Sequence, residues 1–401
     1  MEKRETFTSK IGFVMACIGS AIGLGNIWMF PYRLGRYGGA AFLIPYLLFV
    51  LILGTTGLMA IGLAGVFIFY NIVVGWILKY LFMSITGDLK EIDKANYFHE
   101  FAGTSASIPW NIFAILLTVV IISCGVTKGI ERISKIIMPA LFIIFILLAI
   151  RSLSLPGAAE GVRFLLEPKW EYLKEVDTWV MALGQAFFTV SINGCGMVVY
   201  GSYLKREYDI PRLSLATAVL DTLAAILASF VIMPAVFAFH VDVNTGPPLL
   251  FMTMPSIFDK MPGGFLVAIV FFISLLFAAI SSSINMLEGV TEAVITNYKV
   301  PRKKAAVAIG LILALLSAPL NLDMRAFDNF TNFITIVVSP LMVVLVLIVY
   351  FYMHDSKDAL QEINQGSKIR FGKGFLVFAK YVFLAVTVLV VILGVVYGGI
   401  G

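Results

Sequence analysis

Long apolar runs separated by short polar connections organise this chain. Runs of about 20 residues, enough to cross a bilayer, fall at about 11–32, 41–60, 61–83, 108–125, 137–155, 178–203, 213–239, 263–297, 305–322, 331–353 and 374–399. The pattern predicts an all-α polytopic membrane protein with about 11 transmembrane helices. Two of these runs are interrupted. In the first, Gly19, Gly23, Gly25 and Asn26 break the apolar stretch. In the sixth, Thr189-Val190-Ser191-Ile192-Asn193-Gly194-Cys195-Gly196 sets polar residues and glycines in mid-run. Glycine costs about 1 kcal/mol relative to alanine in a helix interior, and backbone freed inside lipid must find a partner within the protein. Taken singly, either stretch also fits a glycine-rich packing face. As a pair five spans apart, broken helices 1 and 6 point to an inverted five-helix repeat with a binding site at the breaks. One transmembrane domain over 1–401 is therefore expected, with repeat 1 at about 11–155, repeat 2 at about 178–353 and an extra helix at 374–399.

The connections give the orientation. Lys3, Arg4 and Lys10 precede the first run, and Lys128, Arg132 and Lys135 lie between the fourth and fifth. Lys205, Arg206 and Arg212 follow the sixth; Lys299, Arg302, Lys303 and Lys304 follow the eighth; Lys357, Lys368, Arg370 and Lys373 precede the last. Eleven spans put all of these on one side, which the positive-inside rule makes cytoplasmic. Arg33 and Arg36 run against the trend. The N-terminus is expected inside, the C-terminus outside, and the membrane to be the cell inner (plasma) membrane. Between Ala41 and Leu78 there is no charge at all, so the second and third spans must turn almost without a loop. A single helix over 41–83 would be about 60 Å long and would spoil the alternation.

Composition agrees and narrows the function. The 401 residues are 60% hydrophobic and 13% charged, against about 25% charged in soluble domains. The three cysteines, Cys17, Cys124 and Cys195, lie in apolar runs and are expected as free thiols. Three histidines without ligand spacing and no nucleophile–base pair argue against an enzyme. A net charge of +5 is accounted for by cytoplasmic loops rather than by nucleic acid. A pore would call for rings of like residues, and none is visible.

Several stretches resemble the neurotransmitter:sodium symporters, and among them the eleven-helix bacterial amino-acid transporters. They are Gly-Ser-Ala-Ile-Gly-Leu-Gly-Asn-Ile-Trp at 19–28, Phe30-Pro31, and Gly-Gly-Ala-Ala-Phe-Leu-Ile-Pro-Tyr at 38–46. Lys-Gly-Ile-Glu-Arg at 128–132 follows with Lys135 and Met138-Pro139, then Gly-Gln-Ala-Phe-Phe-Thr-Val-Ser at 184–191. Further on come Tyr200 to Tyr203, Met261 to Gly264, and Leu-Phe-Ala-Ala-Ile-Ser-Ser-Ser at 276–283. The resemblance implies sodium-coupled symport of an amino acid by alternating access, with two Na+ sites. It implies a first sodium on the Ala21 carbonyl, Asn26, Thr189, Asp221 and the substrate carboxylate. A second would use carbonyls of Gly19, Ile22 and Ala278 with the hydroxyls of Ser281 and Ser282. It assigns the substrate carboxylate to amides near Leu24 and Gly25 with the Tyr70 hydroxyl. Val66, Phe188, Ser191, Gly194, Ser282 and Met286 would line the side-chain pocket. From the residues alone, Ser281 to Ser283 also fit as helix-packing serines, and Asp221 as a packing hydrogen bond.

The chain departs from the family at three points. Met29 stands where the family has its outer-gate arginine, opposite an acid here matched by Asp328, so an ion-pair gate is not expected and closure falls to apolar packing by Phe188 and Met29. Arg4 is retained, but Thr296 replaces its acidic partner, leaving Glu292 one turn earlier as a substitute. The end of the second span and the first cytoplasmic loop are missing, which keeps open a non-transporting, substrate-sensing homologue. Small Gly194, in a pocket without a counter-charge, favours a neutral amino acid with a bulky apolar or aromatic side chain. Asp221 near the first ion site implies no chloride requirement. The expected partners are the amino-acid substrate and the lipid bilayer; the sequence leaves the oligomeric state open.

Overall fold

Ser9 starts the first helix by a side-chain cap, its hydroxyl accepting the Gly12 N–H at 3.0 Å, the usual way to satisfy a free amide at a helix start. The computed structural model describes residues 6–23, 27, 30–36, 60–189, 196–205, 207–240, 247–348, 351–352 and 356–397. Within them the chain runs through α1 (Lys10–Ala21), α2 (Phe30–Arg36), α3 (Ala60–Thr86), α4 (Lys94–Phe101) and α5 (Ile108–Ser123). Then come α6 (Val126–Leu153), α7 (Ala158–Leu166), α8 (Val176–Thr189), α9 (Gly196–Ser202), α10 (Ile210–Ala238) and α11 (Thr253–Lys260). The last are α12 (Gly264–Tyr298), α13 (Arg302–Leu322), α14 (Met324–Leu345), α15 (Ser356–Asn364) and α16 (Lys373–Val396). Eight of these are long and apolar enough to cross a membrane, and α1 is a shorter apolar helix. No strand occurs among the described residues.

α1 is enclosed by α6, α10 and α12, while α12 lies along α3 and α10 along α6. Lipid gives no hydrophobic drive between helices, so packing and interhelical hydrogen bonds must hold them, each bond contributing about 0.6 kcal/mol. Ser283 on α12 donates to Asn71 Oδ1 on α3 at 2.9 Å and lies 2.8 Å from the Thr118 hydroxyl on α5. Asn111 on α5 donates to Ser317 on α13 at 2.6 Å. Leucines such as Leu311 and Leu315 on the far face of α13 stay exposed, as lipid-facing positions should.

Several boundaries correct the sequence pattern. The fifth span begins at Val126, so Lys128, Arg132 and Lys135 sit in the first turns of α6 and not in a loop. A π-turn at Val126–Glu131 carries the charges, because Glu131 is buried there and bonded. The tenth span begins at Met324, seven residues earlier than the apolar run, because the Asp323 side chain caps it by accepting the Arg325 N–H at 2.8 Å. Likewise Asp209 caps α10 through the Arg212 N–H, placing Arg212 inside the helix. The run at 41–60 and its turn lie outside the described residues. Cys17 and Cys124 are free thiols; Cys195 is outside the described residues.

Candidate functional site

The centre of the site is the place where α1 stops. Ile22 leaves the helix with φ −72° and ψ 92°, its N–H still donating to Ile18 O. The next carbonyls therefore lose their helical donors in a fully buried position. Ser282 on α12 faces them: its hydroxyl lies 3.1 Å from Gly19 O, 3.3 Å from Ser20 O and 3.3 Å from Ile22 O. One hydroxyl proton satisfies only one of these acceptors, so the oxygens form an electron-rich cradle. Ser281 sits beside it, donating to Ala278 O at 2.8 Å.

Two glycines make the approach possible. A Cβ on Gly19 would come within 2.8 Å of Ser281 Cβ. One on Gly23 would meet the Ser282 hydroxyl at 3.0 Å and the Tyr70 hydroxyl at 3.1 Å. Tyr70 from α3 and Ser282 from α12 thus converge on the unwound end of α1. Val66 is one turn from Tyr70 on α3 and buried; Met286 is one turn past Ser282 on α12 and half-buried.

A second polar contact lies on α8. Thr189, its last described residue, donates to Asp221 Oδ2 on α10 at 2.7 Å, and both side chains are fully buried. Phe188 beside it is half-buried. Among the described residues no cluster of three His, Cys, Asp or Glu side chains exists. The oxygens gathered here are carbonyls and hydroxyls with one carboxylate, donors of the hard type that suit an alkali or alkaline-earth cation rather than zinc or copper. Leu24, Gly25, Asn26, Met29, Ser191, Gly194 and Arg4 fall outside the described residues.

A model of the family described as "Sodium:neurotransmitter symporter family" matches residues 4–64 and 91–398. The chain belongs to this family. Among relatives of this symporter, an uncharacterized sodium-dependent transporter of Bacillus subtilis (strain 168), YhdH, is 38% identical over 355 residues, covering 79% of the chain and 78% of the relative. Another, from Methanocaldococcus jannaschii, is 28% identical over 430 residues, 92% of this chain and 86% of its own. A crystal structure of MhsT in complex with L-phenylalanine superposes with a TM-score of 0.86 at 33% identity, covering 98% of this chain and all of that one. The symporter is thus a multi-pass membrane protein of a sodium-dependent transport family and not an enzyme.

Away from the breaks, the symporter carries two buried acids that the apolar pattern does not single out. Glu288 on α12 is fully buried, 2.5 Å from the Tyr203 hydroxyl, and accepts from Arg302 Nη1 at 2.7 and 2.8 Å. Glu292, one turn on, accepts from Tyr203 at 3.0 Å and lies 3.7 Å from Arg302 Nη2. Glu292 is therefore engaged by Tyr203 and Arg302, while Arg4 is outside the described residues. Glu131 accepts from the Thr8 N–H at 2.8 Å, the Thr8 hydroxyl at 2.7 Å, Ser9 at 3.0 Å and Lys135 at 2.6 Å. For Glu288 the available signal is an acid inside an otherwise apolar run; Glu131 lies among the basic residues at 128–135, where nothing in the sequence marks its burial. Asp328 on α14 is exposed, with no ion pair among the described residues. Ser283 is one of the packing serines, since it bonds Asn71 and Thr118 and not α1.

Proposed function

We propose that this symporter couples the sodium gradient to uptake of a neutral amino acid with a bulky apolar or aromatic side chain. The observation that carries the reading is the cradle at the end of α1, three carbonyl oxygens around the Ser282 hydroxyl with Tyr70 close by. A cation drawn into those oxygens joins α1 to α12, the contact that has to break for α1 to swing and open the inner side. Gly19, Ile22 and Ala278 carbonyls with Ser281 and Ser282 hold this sodium. The Ala21 carbonyl, Asn26, Thr189 and Asp221 hold the other, next to the substrate carboxylate, which Tyr70 and the amides near Leu24 and Gly25 bind. Val66, Phe188, Ser191, Gly194 and Met286 surround the side chain. L-Phenylalanine in the MhsT structure supports the aromatic class. The two sodium sites, the division into two inverted halves, the plasma membrane and a cytoplasmic N-terminus are parts of the same proposal.

Asp221 supplies a fixed negative charge at the first site, so chloride is not needed there. A buried acid in a span costs about 2.5–3.5 kcal/mol on insertion scales, and a neighbouring sodium offsets that cost. The test is sodium-dependent uptake of tritiated L-phenylalanine into proteoliposomes. Uptake driven by an inward sodium gradient supports the proposal. Sodium-dependent binding without uptake makes the chain a sensing homologue instead.

A further inference from the structure

Tyr70 on α3 and Ser282 on α12 belong to different helices, yet both hydroxyls stand within 3.1 Å of the one point where a Cβ on Gly23 would sit. Whatever sets the spacing of α3 and α12 at that level therefore sets the site. The next residue on each helix does this. Ser283 donates to Asn71 Oδ1 at 2.9 Å, and Asn71 Nδ2 donates to Phe67 O one turn back at 3.0 Å. A hydroxyl carries one proton; Ser283 gives its own to Asn71 and so accepts from Thr118 on α5 at 2.8 Å. Asn71, Ser283 and Thr118 are all fully buried. Successive residues of a helix point about 100° apart, so Tyr70 and Ser282 turn to the end of α1 while Asn71 and Ser283 meet each other. Thr118 ties the pair to α5, which is itself bonded to α13 through Asn111 and Ser317 at 2.6 Å.

Burying an amide in a membrane span is costly, and a hydrogen bond between spans returns little stability. An apolar pair would satisfy packing alone; an amide and a hydroxyl fix a direction and a distance as well. We propose that Asn71, Ser283 and Thr118 form a positioning triad that holds the Tyr70 and Ser282 hydroxyls at the spacing the substrate and sodium sites require. None of the three touches either ligand; they act through their neighbours on α3 and α12. The positioning role rests on the sites proposed above, whereas the triad itself does not.

The experiment is equilibrium binding to the purified full chain in nanodiscs, of radiosodium alone and of tritiated L-phenylalanine at fixed sodium, with the melting temperature measured alongside. Ser283→Ala and Asn71→Leu should each weaken both ligands about three- to tenfold, the span of one hydrogen bond. The double variant should bind no more weakly than the worse single one, because both changes remove the same bond. Ser283→Thr keeps the hydroxyl and should recover most of the affinity, with Thr118→Val intermediate. Ser317→Ala breaks a bond of the same kind away from the site and should lower the melting temperature with both affinities unchanged. Affinities unchanged in Ser283→Ala, weakened equally in Ser317→Ala, additive in the double variant or not recovered by Ser283→Thr overturn the proposal. Where Ser283→Ala or Asn71→Leu fails to fold, Thr118→Val decides alone: weaker binding than in Ser317→Ala supports the triad and equal binding overturns it. If the wild type binds no tritiated L-phenylalanine, the substrate proposal fails and radiosodium decides the triad; if it binds neither label, both fall.

Discussion

Ser282 has the most to lose by a single substitution, because one hydroxyl faces three backbone oxygens. Ser282→Ala should weaken sodium binding at least about tenfold, equivalent to about 1.4 kcal/mol, without unfolding the protein; sodium titration of substrate binding reads this directly. Asp221→Ser should also weaken sodium binding, and added chloride should restore part of it, since an external anion then replaces the lost carboxylate. Sodium titrations in chloride and in gluconate separate the two. Asp328 predicts the opposite extreme. Exposed and without an ion pair among the described residues, its change to Asn should move substrate affinity by less than about threefold, within the range of a surface ion pair. The identity of these residues was legible only in part. Thr189 bonds Asp221, and Ser281 and Ser282 lie against α1; that they hold sodium is the proposal made above. Arg33 stands out in the sequence only as a basic residue against the charge trend, because an arginine at the end of an apolar run looks like a loop charge until its burial is known.

The helices that cross the membrane are the part most readable from sequence, since lipid demands long apolar runs. The short helices between them were not read. α4, α7, α11 and α15 have too few residues to declare themselves by periodicity, and tertiary contacts hold them. The clearest case is α4, whose Phe98 stacks on Phe251 with centroids 5.3 Å apart while both press on Trp76 of α3. Phe251→Ala should destabilise the fold by about 3–5 kcal/mol, seen as a lower melting temperature in detergent. Element ends were misjudged where a polar residue does the capping, as at Asp323 and Asp209. Asp209 accepts the Lys368 and Arg212 N–H groups, both at 3.2 Å, and the Ser367 hydroxyl at 3.3 Å. The Lys368 N–H, followed by the Arg212 N–H, holds its carboxyl below the ordinary aspartate range. A folded-state value below the unfolded one means stability that is fully present above about pH 4, the ordinary aspartate value, and is lost as pH falls through the depressed value. Asp209→Ala should therefore lower the melting temperature at neutral pH, by a margin that shrinks only under strongly acid conditions. A margin constant down to the lowest accessible pH contradicts that assignment.

At the scale of the whole molecule, α1 is wedged among α6, α10 and α12, and its unwound end carries the oxygens on which the transport proposal depends. The family is one of sodium-dependent transport; that this chain couples sodium to uptake of an amino acid is the central claim. Its most direct measurement is accumulation of tritiated L-phenylalanine in proteoliposomes under an imposed sodium gradient, with gluconate as the only anion. The account predicts concentrative uptake that disappears when the gradient is collapsed and is unchanged when chloride replaces gluconate. Uptake that proceeds equally well without sodium, or that appears only with chloride, would contradict it.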